Sequence, residues 1–198
     1  MLIRTGILMT PQPDEEAKAA VVNRLRSATP GAQVLLEKSS PGPRRLLEEI
    51  LRRWCDEDEL DLVITVGGTL PAPGPSGRET MPEATSAVVE RLLPGLSEEM
   101  RAYAREVSAL ALLDRGVAGI RGRTLILNLP ESAAMATLFL EAVVDPILAH
   151  LQEQADGPRF GDLAVAPTDD EKPQPPVHNN KLDAGEFAAF LASAKREG

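Results

Sequence analysis

A glycine-rich turn directly after a short apolar strand is the feature of this sequence with the clearest chemical potential. The run from Leu62 to Val66 is short, apolar and β-branched, which predicts a buried strand. Gly67, Gly68 and Thr69 follow it at once. Because glycine has no side chain, a ligand can approach the backbone N–H groups of such a turn closely. Ligands of open parallel α/β sheets bind beyond the carboxyl ends of the strands, so we expect a binding site here.

Alternating strand and helix patterns surround this turn. The predicted strands are residues 3–9, 32–36, 62–66, 117–120 and 124–129, and the predicted helices are residues 14–26, 43–55, 82–93, 97–107 and 132–154, with a short helical turn at 109–113. Strand–helix–strand order at these lengths is typical of right-handed βαβ units. The pattern therefore predicts an α/β domain with a mostly parallel sheet over residues 1–155.

The character of the chain changes after Ala155. Residues 156–181 contain several prolines and little apolar periodicity, which predicts a Pro-rich linker or disordered arm. Residues 182–198 regain a helical pattern and predict a short amphipathic helix with Phe187 and Phe190 on its apolar face. That face must pack against something, so docking to a protein is one hypothesis for the C-terminal tail.

The overall composition limits the classes of function. A formal net charge of −9 without a basic stripe argues against nucleic acid as a partner, because phosphate contacts need clustered Lys and Arg. Cys55 is the only cysteine, which excludes an internal disulfide, and its position beside Trp54 predicts an inert, half-buried thiol. The first residues do not resemble a signal peptide, and no apolar run was expected to reach the roughly 20 residues that span a bilayer. We therefore expect a soluble cytoplasmic protein.

Four separated segments together resemble one known family. The segments DLVITVGGT, RETMPEAT, PGLSEEMR and AGIRGRTLILNLP occur in the order and at the spacing of the molybdopterin-binding domain family. The nearest branch is that of the small molybdopterin adenylyltransferases of molybdenum cofactor biosynthesis. The resemblance covers Asp61 to about Gln154, and in the first 60 residues it extends only to the order of strands and helices.

The resemblance implies a fold and an activity. It implies a three-layer α/β/α domain that assembles as a homotrimer. It also implies binding of molybdopterin together with ATP and Mg²⁺, and transfer of AMP to the terminal phosphate of the pterin.

The resemblance also implies a set of site residues. Glu79 is the expected catalytic residue and metal ligand, because a cation bound to phosphates needs an oxygen ligand. Arginines match phosphate oxygens bidentately, and a helix N-terminus such as that at Ser132 favours anions. The expected ligand-binding residues are Gly67, Gly68, Thr69, Arg78, Arg115, Arg121, Asn128, Pro130 and Ser132. Simpler interpretations are a surface ion pair between Arg78 and Glu79 and a solvated hairpin charge at Arg121.

The sequence departs from the family pattern at several of these positions. Leu70 and Glu131 replace glycines, and Glu79 replaces an aspartate. Asp114 replaces a serine, and Thr10–Pro13 stands where the family has a Ser-Asp motif. Two of these changes add carboxylates near a site for phosphate-bearing ligands, and such chemistry is sensitive to displaced charge.

Two hypotheses from different classes follow from the departures. The first is a molybdopterin adenylyltransferase that uses Mg-ATP. The second is a catalytically impaired relative that binds the pterin or another small ligand, or that acts as an accessory interaction protein.

Overall fold

The computed structural model describes residues 2–71 and 80–155. Its elements in chain order are β1 (Ile3–Met9), α1 (Glu15–Ala28), β2 (Ala32–Ser39), α2 (Arg44–Asp56), β3 (Leu62–Val66), α3 (Met81–Val88), β4 (Arg91–Leu92), α4 (Pro94–Ala104), a 3₁₀ helix (Ala109–Leu113), β5 (Ala118–Arg121), β6 (Thr124–Leu129) and α5 (Ala133–Ala155). Arg78, Glu79 and the predicted tail after Ala155 lie outside the described residues.

The six strands form one sheet in the order β2-β1-β3-β6-β5-β4. Strands β2, β1, β3 and β6 are parallel, whereas β5 and β4 run antiparallel at one edge. In the centre of the sheet, Ile64 of β3 lies between Ile7 of β1 and Leu127 of β6. The predicted mostly parallel sheet is therefore confirmed.

Helices cover both faces of the sheet, because side chains alternate along each strand. Leu62, Ile64 and Val66 of β3 point to a core that includes Phe139 of α5 and side chains from α1 and α4. Val63 points to the opposite core, which is built from α2 and α3 and includes Trp54. The predicted three-layer α/β/α arrangement is confirmed.

The start of α1 follows the sequence expectation. The carboxylate of Asp14 accepts a hydrogen bond of 2.8 Å from the N–H of Ala17, and acidic residues fill the first turn. These carboxylates lie at the positive end of the helix dipole and stabilise it.

The predicted helix over residues 82–93 is too long. Helix α3 ends at Val88, and Arg91 and Leu92 form strand β4 opposite Ile120 and Gly119. Hydrogen bonds to β5 satisfy this backbone, so the tertiary pairing overrides the local helical pattern. Helix α4 consequently begins at Pro94 rather than at residue 97, with the proline in the first turn where its missing N–H costs nothing.

Helix α5 has 23 residues and is long and apolar enough to cross a membrane by length and composition, contrary to the sequence expectation. It is the one helix of the described residues that meets this test. Its apolar residues Phe139, Leu140, Val143 and Val144 are fully buried in the core. Core helices of soluble proteins pass the same test, so this apolar character is explained by packing.

The single cysteine is buried beside the second core. Cys55 is 9% exposed, and burial raises the pKa of its thiol to about 12. Because the thiolate is the reactive form, this thiol is inert at neutral pH.

Candidate functional site

Three loops meet at the carboxyl ends of β1, β3 and β6. They are residues 10–13, 67–70 and 130–132, and each follows its strand directly. The N–H of Thr10 donates to the carbonyl of Val66 over 3.0 Å, and the N–H of Gly67 donates to the carbonyl of Leu129 over 2.9 Å. These two bonds continue the sheet pairing into the loops and hold the three segments side by side.

The position of Gly67 requires glycine for two reasons. Its φ is +92°, in the left-handed region that disfavours side chains. A Cβ at Gly67 would also lie 2.1 Å from the carbonyl oxygen of Thr10. Gly68 follows with a φ of +69°, so the chain turns sharply away from the sheet over two consecutive residues.

The turn offers backbone donors to a ligand. Within residues 2–71 and 80–155, the N–H groups of Gly68 and Thr69 donate to no protein acceptor. Successive backbone N–H groups in a turn are a common anion-binding arrangement. Nearby, Ser132 precedes α5, with a φ of +84° and its carbonyl accepting a bond of 2.9 Å from Ala136. The structure therefore brings the predicted glycine turn and the predicted helix start to the same end of the sheet.

A cleft of about 530 Å³ lies beside this turn. It is lined by Val66, Gly67, Glu131 and residues 10–15. Asp14 caps α1 and Glu15 pairs with Lys18 over 2.5 Å, whereas Glu131 is exposed at the cleft. Leu70 is half-buried and does not line this cleft, so of the two glycine replacements only Glu131 faces it. Sequence reasoning missed residues 14 and 15 as lining residues, because only the sheet order brings the segment after β1 beside β3.

Asp114 is almost fully buried, although it borders a cleft of about 350 Å³ whose lining also includes Arg101 and Arg115. It is 5% exposed and accepts hydrogen bonds from the Thr69 hydroxyl and, over 2.8 Å, from the N–H of Gly116. Burial raises the pKa of its carboxyl above the ordinary value, although both hydrogen bonds oppose that shift. The sequence predicted that Asp114 adds charge to the ligand site, whereas the structure shows a buried carboxyl group that is hydrogen-bonded within the protein. The Thr69 hydroxyl is likewise turned into the protein.

Arg115 lies at a second cleft, of about 400 Å³, whose other lining residues come mainly from α2 and α3. Its guanidinium pairs with Glu83 of α3, while its backbone N–H donates to the carbonyl of Thr69 over 3.0 Å. Thr80, which precedes α3, makes no side-chain capping bond. The side chain of Arg115 is 42% exposed and its own backbone contacts the turn, so its predicted contact with a ligand stays a prediction.

Asn128 is fully buried and its amide is used by the fold. Its two N–H donors bond to the hydroxyls of Thr65 and Thr85 over 2.8 and 2.9 Å, and its oxygen accepts from Val117 over 3.1 Å. The side chain joins β3, α3 and β5. The neighbouring Pro130 is also buried, so both residues shape the end of β6 from within.

Arg121 is not brought to the site. It pairs with both oxygens of Asp56 at 2.9 and 2.7 Å and donates to the carbonyl of Val88. Arg121 lies opposite Thr124 at the start of β6, roughly 17 Å along the strand from Leu129 at 3.3 Å per residue. The β5–β6 hairpin lies at the other end of the sheet, so the structure does not bring Arg121 to the turn, and its ligand contact stays a prediction.

No group of three or more His, Cys, Asp or Glu side chains that could hold a metal occurs in the described parts of the chain. Glu79, the expected metal ligand, lies outside them together with Arg78. A magnesium ion bridging phosphates takes few protein ligands, so the metal role of Glu79 stays a prediction.

Comparison of the sequence with protein families identifies the family of this chain. The family model described as "probable molybdopterin binding domain" matches residues 19–150, which is well over half of the sequence. The chain belongs to this family. The match includes the Gly67–Thr69 turn, Asp114 and the end of β6, whereas the cleft-lining residues 10–15 precede it.

Individual relatives agree. The chain is 43% identical to the molybdopterin adenylyltransferase of Helicobacter pylori over 104 residues, which are 52% of this chain and 57% of that protein. It is 39% identical to the Escherichia coli molybdopterin adenylyltransferase over 105 residues, 53% of this chain and 52% of that one. The aligned region thus spans just over half the length of each of these relatives.

Solved structures share the fold. The molybdopterin biosynthesis enzyme MoaB of Thermus thermophilus superposes with a TM-score of 0.68 and 36% identity, over 79% of this chain and 99% of that one. The molybdopterin biosynthesis Mog protein of Mycobacterium ulcerans gives the same TM-score at 27% identity, with the same coverage.

We predict that Gly67→Ala destabilises the protein far more than Gly122→Ala. Both glycines have positive φ, but a Cβ at Gly122 meets nothing within 4 Å. Gly122→Ala should cost about 1–2 kcal/mol of unfolding free energy for the left-handed backbone alone. Gly67→Ala should cost a further 1–3 kcal/mol or so for overlap with Thr10. Urea denaturation of both variants measures the difference, and equal losses would contradict the close approach.

We also predict a pH-dependent stability difference between the wild type and Asp114→Asn. Since burial raises the folded-state pKa of Asp114, the protonated form is favoured on folding. Its contribution is fully present below the ordinary aspartate pKa of about 3.9 and is lost as pH rises through the folded pKa. The unfolding free energy of the wild type minus that of Asp114→Asn should therefore fall as pH rises from 4 toward neutrality. A difference that rises with pH would contradict the assignment.

Proposed function

We propose that this protein binds molybdopterin at the Gly67–Thr69 turn and adenylates it with Mg-ATP. The observation that carries the proposal is the turn itself. Two consecutive N–H groups without a protein acceptor in the described chain lie at the carboxyl end of the central strand. The names of the relatives from Helicobacter pylori and Escherichia coli support the same activity.

The reaction needs positioning and charge stabilisation rather than a protein nucleophile. A terminal phosphate oxygen of molybdopterin attacks the α-phosphorus of ATP, a new P–O–P bond forms, and pyrophosphate leaves as its bond to the α-phosphorus breaks. The turn would hold phosphate oxygens by its N–H groups, and Arg115 would neutralise negative charge. Mg²⁺, bound with the nucleotide and by Glu79, would supply further charge stabilisation.

One observation favours the second hypothesis, that of a pterin-binding protein impaired in transfer. Glu131 is exposed at the cleft beside the turn, where the family pattern has a glycine. Two like charges about 4 Å apart repel by roughly 4 kcal/mol at an effective dielectric of 20. Solvent and Mg²⁺ screen much of this repulsion, yet a remaining repulsion of about 1.4 kcal/mol already lowers the rate tenfold.

The cytoplasmic location stays a prediction.

We predict that the purified protein transfers AMP from Mg-ATP to molybdopterin slowly. Glu131→Gln should raise the rate up to about tenfold, because it removes the charge while keeping the size of the side chain. Glu153→Gln provides a matched control, because Glu153 is exposed on α5 outside every cleft residue named above. The rate is measured as pyrophosphate release and formation of the adenylated pterin.

Two results of this assay would contradict a part of the proposal. If neither the wild type nor Glu131→Gln transfers AMP but both bind molybdopterin, the enzyme assignment is wrong and the binding role stands. If Glu131→Gln and Glu153→Gln behave alike, Glu131 does not limit the reaction.

A second proposal concerns assembly, which the family resemblance implies as a homotrimer. The end of α4 and the 3₁₀ helix expose large apolar side chains close together in sequence. We name this group the apolar segment; its members are Tyr103 (42% exposed), Val107 (70%), Leu110 (63%), Leu112 (59%) and Leu113 (54%). Exposed apolar clusters of this kind mark protein interfaces, so we propose that this segment lies in the contact between subunits.

We predict a trimer in sedimentation experiments at micromolar concentration. The double variant Val107→Glu, Leu112→Glu should sediment as a monomer, because it places charges within the proposed contact. Leu35→Glu is the control, since Leu35 is 47% exposed on β2 and lies outside the apolar segment. A monomeric wild type, or a trimeric double variant, would overturn the assignment.

A further inference from the structure

We propose that Asp114 is a positioning residue, which holds Thr69 and thereby fixes the Gly67–Thr69 turn in the conformation that receives the anionic end of the ligand. The inference rests on the proposed function for the nature of the ligand. The inference goes beyond the proposed function because it gives a defined task to Asp114, a residue at which this chain departs from the family pattern.

Both oxygens of the Asp114 carboxylate are used by the protein. One accepts from the Thr69 hydroxyl, and the other accepts from the N–H of Gly116 over 2.8 Å. Thr69 and Asp114 are only 1% and 5% exposed, so water does not compete for these bonds. A hydrogen bond to a charged acceptor is roughly twice as strong as a neutral one.

Thr69 is held at a second point by the same loop. The N–H of Arg115, next to Asp114, donates to the Thr69 carbonyl over 3.0 Å. The side chain and the carbonyl of Thr69 are therefore both tied to residues 114 and 115. The N–H of Gly68, a partly exposed residue, has no protein acceptor in the described chain and remains for a ligand. A turn already fixed in this way loses less conformational entropy when it binds a ligand.

The loop that carries Asp114 is itself rigidly held. A Cβ at Gly116 would lie 2.8 Å from a carboxylate oxygen of Asp114 and 3.2 Å from the carbonyl of Asn128, so this loop packs tightly against the end of β6. The carbonyl of Gly116 accepts from Arg101 of α4 over 3.3 Å. Val117 then pairs with the buried amide of Asn128. Asp114 thus connects the turn to the fixed interior of the protein.

The replacement of serine by aspartate fits this task. A serine has one side-chain oxygen on a shorter side chain, whereas the carboxylate has two acceptor oxygens that here bond to Thr69 and Gly116 at once. Arg101 is the charged group on a neighbouring element that acts on Asp114, and it lowers the pKa of the carboxyl. Burial has the larger effect and raises this pKa. Both oxygens of the carboxyl group are bonded within the protein.

The test is a double-mutant cycle read in ligand affinity. Molybdopterin binding is measured by isothermal calorimetry, without nucleotide, for the wild type, Asp114→Ala, Thr69→Val and the double variant. We expect each single change to weaken binding about tenfold and the double variant to be no weaker than the singles, because both remove the same link. Additive losses would overturn the proposal.

The conservative variant separates positioning from charge. Asp114→Asn keeps the size and an acceptor oxygen, and it should bind within about threefold of the wild type. Asp114→Ser tests the opposite view, that the carboxylate repels the ligand. If Asp114→Ser binds molybdopterin more tightly than the wild type, the positioning role is wrong.

A ligand-independent measurement distinguishes failure of this inference from failure of the proposed function. Amide hydrogen exchange is followed by NMR at the N–H of Arg115, which donates to Thr69, and at that of Gly67, which donates to Leu129. Asp114→Ala should accelerate exchange at Arg115 by tenfold or more, and Asp114→Asn should not. If this holds while the wild type binds no molybdopterin, the proposed ligand is wrong and the positioning stands. Unchanged exchange in Asp114→Ala would overturn the positioning itself.

Discussion

The close approach of Gly67 to the backbone of Thr10 is the constraint on which the site depends. The parallel pairing of β1, β3 and β6 brings three strand ends together, and hydrogen bonds at Thr10 and Gly67 extend this pairing into the loops. With 2.1 Å between a Cβ at Gly67 and the Thr10 carbonyl, only a residue without a side chain permits it. The chain must then leave the sheet with positive φ, and the N–H groups that follow have no protein acceptor in the described parts of the chain.

Buried polar groups give this end of the sheet its definite shape. Asn128 joins β3, α3 and β5 through three hydrogen bonds, and Asp114 joins the turn to the loop before β5 through two. A buried polar group without partners costs about 1–3 kcal/mol, so such networks favour one arrangement over its alternatives. The turn is consequently fixed from the interior, where solvent does not weaken the bonds.

Charge is distributed unevenly around this frame. Asp114 is directed inward, Asp14 caps a helix and Arg121 is paired with Asp56 at the opposite end of the sheet. Among the departures that lie in residues 2–71 and 80–155, Glu131 presents an exposed carboxylate to the cleft. Family membership and an altered site are compatible, because packing of the two cores maintains the fold while single loop residues set the chemistry.

The sequence by itself determined the strand–helix alternation, the β3–Gly67 turn and the family, because these depend on local periodicity and on residues with unusual backbone requirements. Tertiary structure decided the end of α3, since pairing with β5 satisfies the backbone of Arg91 and Leu92. It also decided the roles of Asp114, Asn128 and Arg121. From their positions in the family motif, these residues are expected to contact the ligand. The direction of their side chains depends on strand order and on the partners Thr69, Thr65 and Asp56, which are 45 to 65 residues away in the chain, and no local pattern encodes such contacts.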